Sequence, residues 1–147
     1  TLREACAQGQ TLAQAKHVAF DCQYPDTNLL IQGDPQALRR LFLILIDNAV
    51  KYTASGGRVS VSLKGADGFA IGEVRDSGIG VSPDDLPNIF ERFYRADKAR
   101  SREQGGAGLG LSIAQWIADA HGAAIEVDST PGKGSVFRVR IPILGSS

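Results

Sequence analysis

The stretch from Asp34 to Tyr52 sets the strictest condition on what this chain can fold into. Asp34 can cap the free N–H groups of a helix start, and Pro35 at the first helical position loses nothing by lacking its own. Leu38, Leu41, Phe42, Leu45, Ile46 and Ala49 then recur at three- and four-residue steps, which makes one apolar face of a helix ending near Tyr52, before Ser55-Gly56-Gly57. An apolar stripe of that length has to lie on another apolar surface. The sequence supplies one at once. Arg58 to Lys64 and Phe69 to Asp76 alternate as strands, split by Gly65-Ala66-Asp67-Gly68, and predict a hairpin. Ala124 to Ser129 and Val136 to Ile143, joined by Thr130-Pro131-Gly132-Lys133-Gly134, predict a second.

The other segments fit around these. Leu2 to about Lys16 reads as a short amphipathic helix, with Leu2, Ala5, Cys6, Leu12 and Ala13 near one face and Gly9 as an interruption. His17 to Gln23 and Leu29 to Gln32 read as strands. Ser82-Pro83-Asp84-Asp85 opens a helix running to about Phe93. Arg95 to Gly108 is polar, basic and glycine-rich, the pattern expected of a mobile loop. From Leu109 onward Ile113, Trp116, Ile117 and Ala120 mark one helical face, and Gly122 after His121 is a stop. The expected fold class is α/β: a two-layer α/β sandwich, one mixed sheet with helices packed on one face, in a single domain of residues 1–147.

Composition narrows the partners. Sixteen basic and sixteen acidic residues cancel to +0, so no global field attracts nucleic acid or an anionic membrane, and a bound polyanion must be held locally. Hydrophobic residues at 43% exclude a disordered tail. Cys6 and Cys22 are too few for a disulfide framework and lack metal-ligand spacing, which leaves two inert thiols in a reducing compartment as the expectation. No apolar run reaches the ~18 residues of a membrane span, so direct membrane contact is not expected. The first residues lack a signal pattern, and the start without Met on a helical stretch suggests a fragment.

Four segments are richer in glycine and polar residues than packing requires. Asp76-Ser77-Gly78-Ile79-Gly80 puts an acid at the end of a buried strand, followed by glycines that let backbone approach a flat ligand. A carboxylate accepts hydrogen bonds, so it would select a base presenting an amine, as adenine does; guanine presents a carbonyl there. Gly105-Gly106-Ala107-Gly108-Leu109-Gly110-Leu111-Ser112 runs into a helix, whose free N–H groups can cradle phosphate. It is neither a dinucleotide fingerprint nor a Walker loop. Asp47-Asn48-Ala49-Val50-Lys51-Tyr52 places an amide oxygen suited to Mg²⁺ beside a cation suited to phosphates. Thr130 to Ser135 is by default a turn. Taken one at a time, the first three also read as a tight turn, a linker and the polar edge of a core helix.

In order and spacing, however, these segments resemble the ATP-binding catalytic domain of sensor histidine kinases, in the superfamily shared with gyrase-type, chaperone and mismatch-repair ATPases. Asp47 to Thr53 looks like the N box, Asp76 to Gly80 the G1 box, Phe90-Glu91-Arg92-Phe93-Tyr94-Arg95 the F box, Gly106 to Ser112 the G2 box, and Pro131 to Ser135 the last glycine box. The resemblance runs from about Leu29 to Pro142. It implies ATP and Mg²⁺ as cofactors, with Asn48 on the metal and Lys51 and Tyr52 on phosphates or ribose. Asp76 would read adenine directly and through water, with Gly78 and Gly80 close to the base and Ser135 in the water network. Gly106, Gly108, Leu109 and Gly110 would offer backbone N–H groups to the phosphates. Arg95 would reach the γ-phosphate from a lid of about residues 94–107, anchored by Phe90 and Phe93, while Lys98, Arg100 and Arg102 assist electrostatically.

The implied activity is transfer of the γ-phosphoryl group to a histidine on a separate dimerisation domain, with Asn48, Lys51 and Arg95 as catalytic residues and a response-regulator receiver domain downstream. His17 and His121 stand in no phosphoacceptor context, so both read as structural and the dimerisation domain is expected to be absent from this chain. A cytoplasmic domain, in a parent that could be an inner-membrane sensor, is the corresponding location. One departure matters: Ile44, a turn before Asn48, stands where many such kinases have Asn and hydrolytic relatives have Glu. It has no proton-accepting atom, so vigorous hydrolysis is disfavoured. A nucleotide-responsive interaction module without transfer, or an anti-sigma-factor-type serine kinase, are the alternative readings.

Overall fold

In the computed structural model, residues 2–23, 34–66, 68–78, 110–130 and 132–142 are described. Three helices, α1 (Leu2–Lys16), α2 (Pro35–Lys51) and α3 (Gly110–Ala120), accompany five strands, β1 (Ala19–Gln23), β2 (Arg58–Ala66), β3 (Phe69–Asp76), β4 (Ala124–Thr130) and β5 (Gly134–Pro142). The strands form one sheet in the order β1-β2-β3-β5-β4. β1 pairs parallel to β2, and the other three pairings are antiparallel, so the sheet is mixed as expected. The strand expected at 29–32, the helix at 82–93 and the loop at 95–108 lie outside the described residues.

The capped helix forms as its sequence dictates. The Asp34 carboxylate accepts the Gln36 N–H at 2.9 Å, with Pro35 in the first turn. Leu38, Leu41, Phe42, Leu45, Ile46, Ala49 and Val50 are all buried. At the other end, the Lys16 ammonium donates to the carbonyls of Val50 (3.0 Å) and Lys51, satisfying groups that a helix terminus leaves open.

The stripe lies on one face of the sheet, and register shows why. Val61, Val74, Phe137 and Val127 stand side by side across β2, β3, β5 and β4, with Leu63, Gly72, Val139 and Ile125 as the next row. Gly72 is the informative member. A Cβ there would come within 2.5 Å of the Phe42 ring, so the bare backbone of β3 is where the helix comes nearest. The opposite face carries charge: Glu73 bridges Arg75 at 2.9 Å and Arg138 at 3.2 Å, and Arg138 reaches Asp128 at 2.7 Å. Burial pushes the Glu73 carboxyl up, but the two guanidinium groups more than offset this and hold it below its ordinary value.

Four details correct the sequence reading. Gly9 does not interrupt α1; it is where α1 crosses α2, since a Cβ would meet Ile46 at 2.6 Å and Phe20 at 3.0 Å. The buried face is therefore Ala5, Cys6, Gly9 and Ala13, while Leu12 is 38% exposed. On α3 the buried residues are Ala114, Ile117 and Ala118, and Trp116 is 72% exposed. At 100° per residue Trp116 falls opposite that triplet; the expected stripe of Ile113, Trp116, Ile117 and Ala120 has helical spacing but shares only Ile117 with the buried one. His17 begins no strand: it turns the chain between α1 and β1 at φ 61.

His121 is structural, as expected: its Nε2 accepts the Asp34 N–H at 3.1 Å, so Nδ1, 2.8 Å from the Ile117 carbonyl, is the ring's donor. The contact ties the end of α3 to the start of α2.

Gly72→Ala should destabilise the fold by about 1–3 kcal/mol, because its Cβ would collide with the buried Phe42 ring and force it to shift. Urea denaturation checks this: the midpoint should fall with the slope unchanged.

Candidate functional site

The apolar rows of the sheet give way to a polar one at the end where β3 stops and β5 starts. There Val59, Asp76, Ser135 and Ser129 stand in register across β2, β3, β5 and β4 on the helix-covered side. Asp76 and Ser135 are 8% and 7% exposed. An acid so enclosed needs partners. The Asp76 carboxylate accepts the N–H of Gly78 at 2.8 Å and that of Ser135. Burial nevertheless dominates and raises its pKa above the ordinary value of 3.8, with the two N–H groups pulling the other way.

Two glycines make this geometry possible. A Cβ on Gly78 would collide with the Tyr52 carbonyl and stand 2.8 Å from the Asp76 carboxylate. Gly78 is thus pressed between the end of α2 and the acid. Gly134, at φ +118, lies so close to the Asp76 carbonyl that no side chain fits. Ser77 continues the pairing of β2 and β3: its N–H donates to the Arg58 carbonyl at 3.1 Å, and its Oγ accepts the Arg58 N–H at 2.9 Å. On the outer side of this edge, Arg58, Ser60, Arg75, Ser77 and Lys133 line a polar depression of about 360 Å³.

The structure brings together much of what the sequence singled out. Tyr52, Asp76 and Gly78 meet directly, with Gly134 and Ser135 against Asp76. Gly110, the first residue of α3, faces Ile44, whose Cγ2 would lie 3.5 Å from a Cβ there. Half-buried Asn48 therefore sits on α2 one turn from each junction, Ile44 on one side and Tyr52 on the other. Ile44 itself packs against the core, which accounts for an apolar residue at that position. Lys51 pairs with Asp47 at 3.1 Å, both partly exposed, a helix-surface contact worth only a few tenths of a kcal/mol and easily exchanged for another anion. Gly80, Arg95, Gly106, Gly108 and Leu109 lie outside the described residues, as do Phe90, Phe93, Lys98, Arg100 and Arg102.

Sequence reasoning gave no role to three contributors. Thr53 is fully buried and donates to the Ala49 carbonyl at 2.7 Å, closing the last turn of α2. A hydroxyl four residues after the stripe's last alanine was the available signal. Lys16 is 34 positions from the carbonyl it caps, a separation no local pattern reveals. Ser129 reached the site by strand register alone, its Oγ 2.8 Å from that of Ser135.

A glycine-shaped platform, a buried acid and a polar row thus stand beside a helix carrying an amide, at one end of an α/β sandwich. This chain belongs to the family described as histidine kinase-, DNA gyrase B- and HSP90-like ATPases, whose model matches residues 33–145. Among its relatives are sensor histidine kinase RppB of Synechocystis, 44% identical over 132 residues (90% of this chain, 29% of that protein), and sensor histidine kinase YkoH of Bacillus subtilis, 41% identical over 139 residues (95% and 30%). The chain spans less than a third of the length of these curated relatives. Among solved structures, the mycobacterial sensor histidine kinase MprB superposes with a TM-score of 0.82 at 30% identity, covering 97% of this chain and 95% of that one. Full-length ShkA, solved in complex with AMPPNP, also gives 0.82 at 31% identity, covering 97% and 29%. The expected family and the two-layer mixed-sheet architecture are therefore borne out.

The raised pKa of Asp76 has a direction that can be measured. Between the ordinary aspartate value and the raised one, the folded chain holds a proton that the unfolded chain has released. Stability contributed by this group thus falls as pH rises through that window. An adenine-type ligand needs the ionised acceptor, so its affinity should fall on acidification with a midpoint above 3.8. Asp76→Asn should lack that titration, and calorimetric binding at a series of pH values checks both.

Proposed function

We propose that this chain binds ATP with Mg²⁺ and delivers the γ-phosphoryl group to a histidine on a separate dimerisation domain, as the catalytic part of a two-component sensor kinase. The observation that carries the reading is Asp76: a buried acceptor, rigidly oriented by two backbone N–H groups, at the end of the sheet beside the amide-bearing helix. Such an acceptor suits the exocyclic amine of adenine. The relatives' names and the AMPPNP complex of ShkA support the same nucleotide.

Each residue then has a role of a physical kind. Asp76 takes the base amine, and Gly78 and Gly80 allow its plane close to backbone. Tyr52 borders the ribose and phosphates, and Lys51 exchanges Asp47 for phosphate oxygen. Gly106, Gly108, Leu109 and Gly110 direct backbone N–H groups at the phosphates ahead of α3. Arg95 neutralises charge developing on the transferred group, carried on a lid of residues 94–107.

The donor set fits Mg²⁺ rather than a protein-caged metal. Among the described residues no group of three or more His, Cys, Asp or Glu could hold an ion, whereas Asn48 offers one hard neutral oxygen. Mg²⁺ keeps most of its waters and takes one or two protein oxygens with the nucleotide phosphates. Bound there, it would supply charge neutralisation on the phosphate oxygens. Asn48 would hold it, and the acceptor imidazole would need no base from this chain, which agrees with Ile44.

Partners follow from the same reading: the histidine-bearing hairpin domain and, after it, a response-regulator receiver domain, with the catalytic domain in the cytoplasm. Among the described residues no helix is long and apolar enough to cross a membrane.

Incubation with labelled ATP and a histidine-bearing hairpin domain should give acid-labile phosphohistidine. Nucleotide binding without transfer would make the chain a nucleotide-responsive module, and acid-stable phosphoserine would make it a serine kinase. Asp76→Asn should weaken ATP about 10- to 100-fold, the range for losing a charge-assisted hydrogen bond, with the fold retained by circular dichroism. Asn48→Asp should shift the Mg²⁺ dependence of binding, and an unchanged metal titration would remove Asn48 from the ligands.

A further inference from the structure

Ser129 lies outside every segment that the sequence marked for nucleotide binding, yet the sheet places it next to Ser135. Its Oγ is 2.8 Å from the Ser135 Oγ and 3.2 Å from the Gly134 carbonyl. Ser135 in turn stands beside Asp76, to which it gives its backbone N–H. The hydroxyl of Ser135 is thus the nearest side-chain donor to the acid along the buried row.

That hydroxyl has one proton, and its direction matters. Adenine presents an amine donor at its six-position and, next to it, ring nitrogen N1, an acceptor. An ionised Asp76 can serve the amine but not N1, because a carboxylate has no proton to give. N1 needs a donor, directly or through one water, and Ser135 can be that donor only when its proton is not engaged with Ser129. When Ser129 donates to the Gly134 carbonyl, the proton of Ser135 is drawn toward Ser129. When Ser129 donates along the shorter contact to Ser135, the proton of Ser135 points to the base. Guanine reverses both groups, with a carbonyl at position six and an N–H at N1. A fixed donor from Ser135 therefore opposes guanine, while a freely turning hydroxyl could accept its N–H.

We propose that Ser129 is a positioning and specificity-determining residue: by donating to the Ser135 Oγ it fixes that hydroxyl as a donor toward the base edge and so favours adenine over guanine. This rests on the reading that Asp76 takes the base.

Calorimetry of the full 147-residue chain with Mg²⁺ tests it, using non-cleavable ATP and GTP analogues and the 1-deaza form of the ATP analogue. Ser129→Ala should weaken the ATP analogue by up to about fivefold, the scale of one neutral hydrogen bond, and strengthen the GTP analogue, so that the ratio narrows. Ser129→Thr should restore the ratio. Removing N1 should cost the wild-type chain about fivefold and Ser129→Ala less, since only the wild-type chain holds the hydroxyl as a donor. Should Ser129→Ala lose its fold, Ser129→Thr against Ser129→Val makes the same comparison at constant shape. An unchanged ATP-to-GTP ratio, an equal loss for all three ligands, or a threonine variant as weak as the alanine one would overturn the role of Ser129 and leave the base site standing. A wild-type chain that binds no adenine analogue would overturn the site, and this inference with it.

Discussion

Everything in this molecule is referred to the contact between the stripe of α2 and the inner face of the sheet. Leu41, Leu45 and Ile46 are fully buried there, each worth about 1.5–3 kcal/mol of removed apolar surface. Close approach is secured by omission rather than by bulk: Gly72 yields its side-chain volume to Phe42, and Gly9 yields its own to Ile46 and Phe20. With the helix axis set in this way, Ile44, Asn48 and Tyr52 are set too. Two of them border other elements of the site, Ile44 facing Gly110 and the Tyr52 carbonyl facing Gly78. The residues that meet a ligand are thus positioned by residues that never do.

Chemistry begins where the apolar rows end. The register that lines up Val61, Val74, Phe137 and Val127 places Val59, Asp76, Ser135 and Ser129 in the adjacent row. A carboxylate there is disfavoured by burial and retained by directed N–H groups, which also remove its freedom to turn. An acceptor that is already oriented before a ligand arrives loses little entropy on binding. The glycines around it act in the same sense, since a side chain on Gly78 or Gly134 would force the acid out of place.

Much of this was legible in the residues. Asp34-Pro35 announced a helix start that the Asp34–Gln36 hydrogen bond realises, and the three-and-four spacing named six of the helix's seven buried positions, Val50 being the addition. The two hairpins were legible because alternation and turn glycines are local signals. What failed was non-local or a matter of phase. Gly9 is ambiguous until its neighbour is known, because a glycine inside a helix reads as a defect unless another helix crosses it. Trp116 illustrates the second kind: the stripe of Ile113, Trp116, Ile117 and Ala120 has helical spacing, but the buried one, Ala114, Ile117 and Ala118, lies to its side and shares only Ile117 with it. His121 was legible as structural, but its partner was not, since nothing local links a ring at the end of α3 to the Asp34 N–H 87 positions away. In the site, Asp76 was legible from its strand end and glycines, whereas Ser129 depended on which strands lie side by side.

The bridge between His121 and Asp34 bears on how α3 can move. This helix starts beside Ile44, midway along α2, and finishes at the opening turn of α2, so the two run in opposite directions. A directional bond pins the far end, while the near end rests on a non-directional apolar contact. Sliding α3 lengthwise would rupture the directional bond, and the buried Ala114, Ile117 and Ala118 between the two ends hold the helix against the core, so the pair of antiparallel helices is locked in one lengthwise alignment.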